Sequence, residues 1–217
     1  KMSKVANLQK ESLAMLKQTS RTFFIPISFL DPVLKKTVGS AYLCMRAIDE
    51  IEDHPELPAE VKASLLRSIQ HMLETGIDET EYAALVAPYS DYLPSVTMRL
   101  PDWVEVCPPE IRGKVLESTA IMAGGMAKWV EKDWVIHTRE DLDDYTYYVA
   151  GLVGVMLSDL WRWHDGTETD TELAIGFGRG LQAVNMLRNY DEDYERGVTF
   201  VPDGWTRDDM FSYAREN

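Results

Sequence analysis

Amides, an arginine and a carboxylate recur at helical spacing near the end of the chain. The members of this polar stripe are three or four residues apart: Gln182, Asn185, Asn189 and Asp193. Residues at that spacing share one face of an α-helix, and Arg188 lies beside them. Mg²⁺ prefers oxygen ligands, keeps several waters and is often shared with substrate phosphates. The stripe is therefore typical of a polar wall in a site that holds Mg²⁺.

A second acidic stretch lies far upstream. Asp49 and Asp53 are four residues apart, so a helix directs both to the same side, and Arg46 precedes Asp49 by one turn. A single acidic helix face is usually solvated surface. Two such segments, each within an apolar helix and each beside an arginine, predict the facing walls of one metal–diphosphate site.

The segments that must position these groups all have helical character. Proline positions and apolar periodicity predict helices over 4–19, 32–53, 57–74, 109–131, 141–164 and 171–196, with one or two more between 79 and 100. Asp31 and Pro32 form a typical helix start. No alternating strand pattern, internal repeat or linker is present. We therefore predict one all-α domain over residues 1–217, a bundle of about seven or eight long helices around a central cavity.

Glycines inside two of these predicted helices need a compensating contact. Gly151 and Gly154 lie within 141–164, and the stretch MAGGMAKW lies within 109–131. Each glycine costs a helix roughly 0.5–1 kcal/mol relative to alanine. We expect close helix packing or close approach of a ligand at these positions.

Composition excludes several function classes. The formal net charge of −14 argues against nucleic acid and against electrostatic docking on anionic membranes. No apolar run reaches the roughly 18 residues that a transmembrane helix needs, and the first residues lack a signal-peptide core. Cys44 and Cys107 form no CxxC pair, so free thiols in a reducing compartment are expected. A cytoplasmic location is the expectation.

Four segments in order resemble the squalene/phytoene synthases, the head-to-head branch of the trans-isoprenyl diphosphate synthases. They are SRTF at 20–23, YLCMRAIDEIED at 42–53, YTYYVAGLVG at 145–154 and QAVNMLRNYDEDYERGVTFVP at 182–202. The resemblance implies a helical isoprenoid-synthase fold and a role in isoprenoid biosynthesis. It also implies farnesyl diphosphate as the substrate and Mg²⁺ held by two aspartate-rich helices.

The same resemblance implies roles for individual residues. Asp49 and Asp53 would bind metal from the first helix, and Asp193 with Asn189 from the second. The diphosphate site would be lined by Arg46, Gln182, Asn185 and Arg188.

Further roles are implied outside the two acidic segments. Ser20 and Phe23 match the family's lid segment, and Tyr145 matches its tyrosine near the reacting carbons, where a ring face stabilises positive charge. Without the resemblance, Phe23 and Tyr145 are interpreted as core aromatics. Four acidic residues are expected to be mostly solvated, namely Glu50, Glu52, Asp191 and Glu192, with Glu52 and Glu192 the better candidates for supporting the ligands.

Two departures from the family pattern bear on the reaction. Asn189 replaces the first aspartate of the usual second motif, and family members usually continue for several more helices after the position of Asn217. Weaker metal binding and a wetter cavity favour hydrolysis of farnesyl diphosphate to farnesol and pyrophosphate. The alternatives are head-to-head condensation to a squalene, dehydrosqualene or phytoene type of product, and a degenerate scaffold that binds prenyl diphosphates without catalysis. Peripheral membrane association through the lipid product is also expected.

Overall fold

The computed structural model describes residues 2–189, 193, 195 and 200–217, and this part of the chain contains helices and no strand. The all-α prediction is confirmed. The chain divides into two compact units, Lys1–Ala123 and Gly124–Asn217. The single-domain organisation stays a prediction.

The first unit contains seven α-helices and one short 3-10 helix (Ala87–Tyr89) among its described residues, together with most of an eighth α-helix. The α-helices are α1 (Met2–Thr19), α2 (Arg21–Ser28), α3 (Pro32–Glu52), α4 (Ala59–Thr75), α5 (Glu79–Val86), α6 (Ser95–Met98), α7 (Leu100–Val106) and α8 (Pro109–Glu131). The predicted start of α3 is confirmed, because the Asp31 carboxylate accepts hydrogen bonds from the Val33 and Leu34 N–H groups. The predicted helix over 57–74 is also confirmed as α4, which ends at Thr75 and is followed by Gly76 with a φ of 113°.

Helix α3 lies at the centre of this unit and packs against α1, α4, α6 and α7. Its apolar side chains are buried on every turn, with Leu43, Ala47, Ile48 and Ile51 fully enclosed. The buried face of α4 follows the helical period at residues 62, 65, 66, 69 and 73. This packing fixes the end of α3 that carries the first acidic stretch.

The second unit continues from the end of α8. Its further helices are α9 (Arg139–Thr146), α10 (Leu152–Asp165), α11 (Thr171–Arg188) and α12 (Arg207–Glu216), with a π-helical segment (Tyr147–Gly151) joining α9 to α10. The helix predicted over 141–164 begins two residues earlier, because Thr138 and Asp141 form a capping box. It also contains the π turn, a feature that periodicity did not predict. Part of the helix predicted over 171–196 lies outside the described residues.

Glycines permit close helix packing in the second unit. A Cβ on Gly154 would lie 2.6 Å from the Ala174 carbonyl oxygen, and a Cβ on Gly125 would lie 2.1 Å from the Tyr148 ring. Neither position has room for a larger residue without movement of its neighbour. The expectation of close packing at these glycines is therefore confirmed.

Two further expectations concern the whole described chain. Cys44 and Cys107 are both buried free thiols, as the sequence predicts. Within the described residues, none of the helices combines the length and the apolar character that membrane crossing requires.

Candidate active site

The last two turns of α3 bring Asp49 and Asp53 together. The Asp53 N–H donates to the Asp49 carbonyl oxygen at 3.0 Å, which continues the helical pattern to Asp53. Asp49 is half-buried and Asp53 is exposed. Burial raises the pKa of Asp49 well above its ordinary value, and the neighbouring Asp53 raises it further by its charge and by a hydrogen bond between the two carboxyl groups. The two carboxyl groups are therefore close enough to share a proton or a cation.

Arg46 lies one turn before this pair and is held by Glu50. The Arg46 Nη2 is 2.5 Å from Glu50 Oε1, and its Nε donates to the same oxygen at 2.8 Å. Burial acts to lower the pKa of Arg46, but the charges of Glu50 and Asp49 outweigh it and raise the pKa. Arg46 is thus a fixed cation beside the acidic pair, and its predicted contact with a diphosphate stays a prediction.

Glu52 differs from its expected exposure. It was expected to be mostly solvated, but it is only 3% exposed. The Lys62 ammonium of α4 donates to the Glu52 carbonyl oxygen at 2.6 Å, and Lys62 is itself buried. The packing of α4 against α3 encloses this end of the helix, which explains the difference.

Lys62 was not singled out from the sequence, although a signal was present. It occupies the same helical phase as Leu65, Leu66 and Ile69, which form the buried face of α4. A lysine on such a face is unusual, because a buried ammonium needs acceptors to compensate for lost hydration. The position of Lys62 on the buried face of α4 therefore predicts a hydrogen-bond acceptor for its ammonium group within the core.

Thr97 holds the same part of α3 from another direction. Its hydroxyl donates to the Ala47 carbonyl oxygen at 2.8 Å, and its own carbonyl oxygen accepts a hydrogen bond from the Tyr82 hydroxyl. All three residues are buried. The contact joins residues 50 positions apart, so no local sequence pattern predicts it.

His54 fixes the chain directly after Asp53. Its Nδ1 accepts hydrogen bonds from the N–H groups of Glu56 at 3.1 Å and Leu57 at 3.2 Å. Its Nε2 lies 3.0 Å from the Tyr92 carbonyl oxygen, to which it donates when Nδ1 is the acceptor. The loop after the acidic pair therefore has a defined path.

The residues present at the end of α3 fit Mg²⁺. Across the described part of the chain, no group of three or more His, Cys, Asp or Glu side chains is arranged to hold a metal ion. Two adjacent carboxyl groups, however, match a cation that is bound through one or two carboxylates and completes its coordination with waters and substrate phosphates. Burial raises the pKa of Asp49 and the charge of Asp53 raises it further, and a divalent cation bound between the two carboxyl groups would relieve their repulsion.

The second acidic segment is only partly described. Gln182 on α11 and Asp193 are half-buried, whereas Asn189 is exposed. The Asp193 N–H donates to the Asn189 carbonyl oxygen at 2.9 Å, so these two residues are one helical turn apart, as their spacing predicts. The side chains of Asn185 and Arg188 lie outside the described residues. That this segment faces Asp49 and Asp53 across one site stays a prediction.

Tyr145 lies in the core of the second unit. It is 3% exposed, its ring stacks on Phe200 at a centroid distance of 5.1 Å, and the Trp129 ring meets it edge-on at 6.0 Å. These are the contacts of a core aromatic, the interpretation reached without the family resemblance. Its implied role near the reacting carbons stays a prediction.

Ser20 lies at the junction of α1 and α2 and is buried. Its N–H donates to the Leu16 carbonyl oxygen at 2.9 Å, and its own carbonyl oxygen accepts from the Phe24 N–H at 3.0 Å. The side chain of Phe23 lies outside the described residues. The lid role of this segment therefore stays a prediction.

The sequence profile of the squalene/phytoene synthases matches residues 16–213. The chain belongs to the squalene/phytoene synthase family. It is 32% identical over 203 residues to a squalene synthase of Rattus norvegicus, covering 91% of this chain and 47% of the relative. It is also 32% identical over 208 residues to the Botryococcus squalene synthase of Botryococcus braunii, covering 93% of this chain and 43% of the relative.

Solved structures share the fold of this chain. A ligand complex of TcSQS superposes with a TM-score of 0.71 at 25% identity, covering 90% of this chain and 58% of that chain. A dehydrosqualene synthase shares the fold with a TM-score of 0.61 at 24% identity, covering 92% of this chain and 62% of that chain. This member of the squalene/phytoene synthase family spans about half the length of the curated relatives it matches.

Proposed function

We propose that this squalene/phytoene synthase family member binds farnesyl diphosphate with Mg²⁺ and joins two such molecules head to head. The observation that carries the proposal is the Asp49–Asp53 pair, one turn apart at the end of α3 with Arg46 one turn before it. The similarity to squalene synthases supports condensation better than the hydrolysis that the sequence alone favoured.

Different residues of α3 would bind the metal ion and the diphosphate. Asp49 and Asp53 would hold Mg²⁺, which supplies Lewis-acid stabilisation of the diphosphate leaving group when bound. Arg46 remains positively charged beside them and would contact the diphosphate oxygens. These groups act on the charge that develops as the allylic C–O bond breaks, which is where electrostatic catalysis is most effective. The carbocation would then form a C–C bond with the π electrons of a double bond in the second prenyl chain, and the new cation would lose a proton to the released pyrophosphate.

Hydrolysis is the second candidate, and Asn189 is the observation that favours it. A neutral amide occupies the place where the family usually has a carboxylate, and this residue is exposed. A neutral ligand binds Mg²⁺ more weakly than a charged one. With a weaker second metal position, the ionised substrate would be captured by water to give farnesol and pyrophosphate.

Product analysis separates the candidates. The chain is incubated with farnesyl diphosphate and Mg²⁺, with EDTA as the control, and the organic and phosphate products are identified. A thirty-carbon product that requires Mg²⁺ supports condensation. Farnesol as the main product, with solvent ¹⁸O in its hydroxyl, supports ionisation followed by water capture instead.

Two other outcomes contradict the proposed chemistry. Farnesol without solvent ¹⁸O would indicate attack at phosphorus and exclude the carbocation. Binding of farnesyl diphosphate without any turnover would leave the scaffold interpretation. Asn189→Asp is a useful companion variant, because it should tighten Mg²⁺ binding if this residue contributes an oxygen ligand.

A further inference from the structure

The metal-binding turn of α3 is held from outside the helix at two backbone carbonyl groups. Lys62 of α4 donates to the Glu52 carbonyl oxygen at 2.6 Å, and Thr97 of α6 donates to the Ala47 carbonyl oxygen at 2.8 Å. These acceptors lie immediately before Asp53 and two residues before Asp49. The two contacts therefore lie on either side of Asp49, and the second one holds the carbonyl group directly before Asp53.

Both hydrogen-bond donors are buried, which strengthens the constraint that they place on the backbone of α3. Lys62 is 7% exposed and Thr97 is 0% exposed. A buried donor that loses its acceptor cannot turn to water, so its contact constrains the backbone more strongly than an exposed one. Tyr82 constrains Thr97 in turn, because its hydroxyl donates to the Thr97 carbonyl oxygen.

Charge gives Lys62 a second effect on the same turn. The last turn of α3 contains no basic residue of its own, although it carries the negative end of a helix and several carboxylates. An ammonium near a helix C-terminus stabilises the helix. The same positive charge opposes a cation at Asp49 and Asp53 by Coulomb repulsion.

We infer that Lys62 and Thr97 are positioning residues that hold Asp49 and Asp53 in the geometry needed for a divalent cation. This inference rests on the proposed function, in which these carboxylates bind Mg²⁺. The hydrogen bonds fix the carbonyl groups on either side of Asp49, and the carboxyl pair keeps its orientation because the backbone beneath it cannot shift. Positioning outweighs the repulsion from the Lys62 charge.

The two residues allow positioning to be separated from charge. Lys62→Met removes both the hydrogen bond and the positive charge, whereas Thr97→Val removes only a hydrogen bond and keeps the shape of the side chain. Lys62→Arg retains the charge and a donor. Thr119→Val is the matched control, because Thr119 is a fully buried threonine whose hydroxyl bonds to its own helix at the Val115 carbonyl oxygen, 2.7 Å away.

The experiment measures binding of Mn²⁺ alone, an oxygen-seeking substitute for Mg²⁺, by the loss of the free-ion EPR signal. Circular dichroism confirms that each variant is folded. Lys62→Met and Thr97→Val should each weaken binding by roughly 10-fold or more, the range seen when groups that orient metal ligands are removed. Lys62→Arg should recover part of the affinity, and Thr119→Val should match the wild type.

Each contrary result has a distinct meaning. Wild-type affinity in folded Thr97→Val overturns the inference, even if Lys62→Met does not fold. Tighter binding in Lys62→Met together with unchanged binding in Thr97→Val would assign Lys62 a purely repulsive role and also overturn it. If wild-type binding is not reduced by Asp49→Asn, the proposed metal site fails first and the inference fails with it.

Discussion

At the end of α3, Asp49 lies against the carboxyl group of Asp53, whereas on α9 Asp144 lies against hydrogen-bond donors. The Asp144 Oδ2 accepts from the Lys128 ammonium at 2.6 Å and from the Trp129 indole N–H at 2.9 Å. Its neighbour Asp143 accepts from the Tyr213 hydroxyl at 2.6 Å. The carboxylates on α9 thus complete structural hydrogen bonds within the second unit.

The difference separates two uses of an acidic side chain. A carboxylate that neutralises an ammonium and satisfies a buried N–H stabilises the fold. A carboxylate placed against another carboxylate has an unfavourable interaction that a cation or proton removes. Burial raises the pKa of Asp49, and this interaction with Asp53 raises it further. Acidic spacing alone does not separate the two cases, because Asp49 and Asp144 both lie on helices rich in acidic residues.

The largest expected effect follows from removing the charge at Asp49. Asp49→Asn should lower Mg²⁺-dependent turnover of farnesyl diphosphate by on the order of 100-fold or more, because the proposed function makes Asp49 a charged metal ligand where leaving-group charge develops. Steady-state kinetics across a range of Mg²⁺ concentrations measures the change. Turnover like that of the wild type at all Mg²⁺ concentrations would remove Asp49 from the site.

Removing the Asp144 carboxylate should lower stability and leave turnover nearly unchanged. Asp144→Ala leaves the buried Trp129 N–H without this acceptor, so the free energy of unfolding should fall by about 1–3 kcal/mol. Turnover measured below the melting temperature should stay near the wild-type value, because Asp144 completes structural contacts. Denaturant unfolding and kinetics on the same preparation test both statements, and a large loss of turnover without loss of stability would contradict them.

Glycine packing tests how rigid the second unit is. In Gly154→Ala, the added Cβ would lie 2.6 Å from the Ala174 carbonyl oxygen, and such overpacking should lower the free energy of unfolding by about 1–3 kcal/mol. Gly113→Ala in α8 is the matched control, because its added Cβ would have no atom within 4 Å apart from its chain neighbours and the backbone of its own helix. The control should gain roughly 0.5–1 kcal/mol from helix propensity. Equal stabilities of the two variants would indicate that α10 and α11 move apart easily.

The smallest expected effect is a pH dependence of stability from Asp49. The pKa of Asp49 is raised in the folded chain. Above the ordinary aspartate pKa of about 3.9, Asp49 is therefore protonated in a larger fraction of folded chains than of unfolded chains. The contribution of Asp49 to the free energy of unfolding is therefore fully present below the ordinary aspartate pKa, and it is lost as the pH rises through the raised pKa of the folded chain. Asp49→Asn removes the titration, so in EDTA its stability should fall less over that pH range.

Thermal unfolding of both proteins in EDTA, followed from acidic to neutral pH, measures that difference. Addition of Mg²⁺ at neutral pH should stabilise the wild type more than Asp49→Asn, because the cation relieves the repulsion between the two carboxyl groups. Parallel pH profiles would show that burial and the charge of Asp53 do not raise the pKa of Asp49 in the folded chain.

Local sequence patterns determined the helices and the acidic pair. Asp31 with Pro32 fixes the start of α3, Pro109 begins α8, and the spacing of Asp49 and Asp53 places them one turn apart. These features depend on interactions within a few residues, since helix caps and helical periodicity are local. The four family motifs added the likeness to the squalene/phytoene synthases, which the profile match confirmed.

Tertiary packing alone decided which side chains are enclosed and what they contact. Glu52 is buried because α4 covers the end of α3, and Thr97 reaches Ala47 across 50 residues of sequence. Tyr145 is enclosed by Phe200 and Trp129, which are distant from it in sequence. Periodicity assigns a residue to a helix face, but the neighbour that packs on that face determines its exposure, its hydrogen bonds and its pKa.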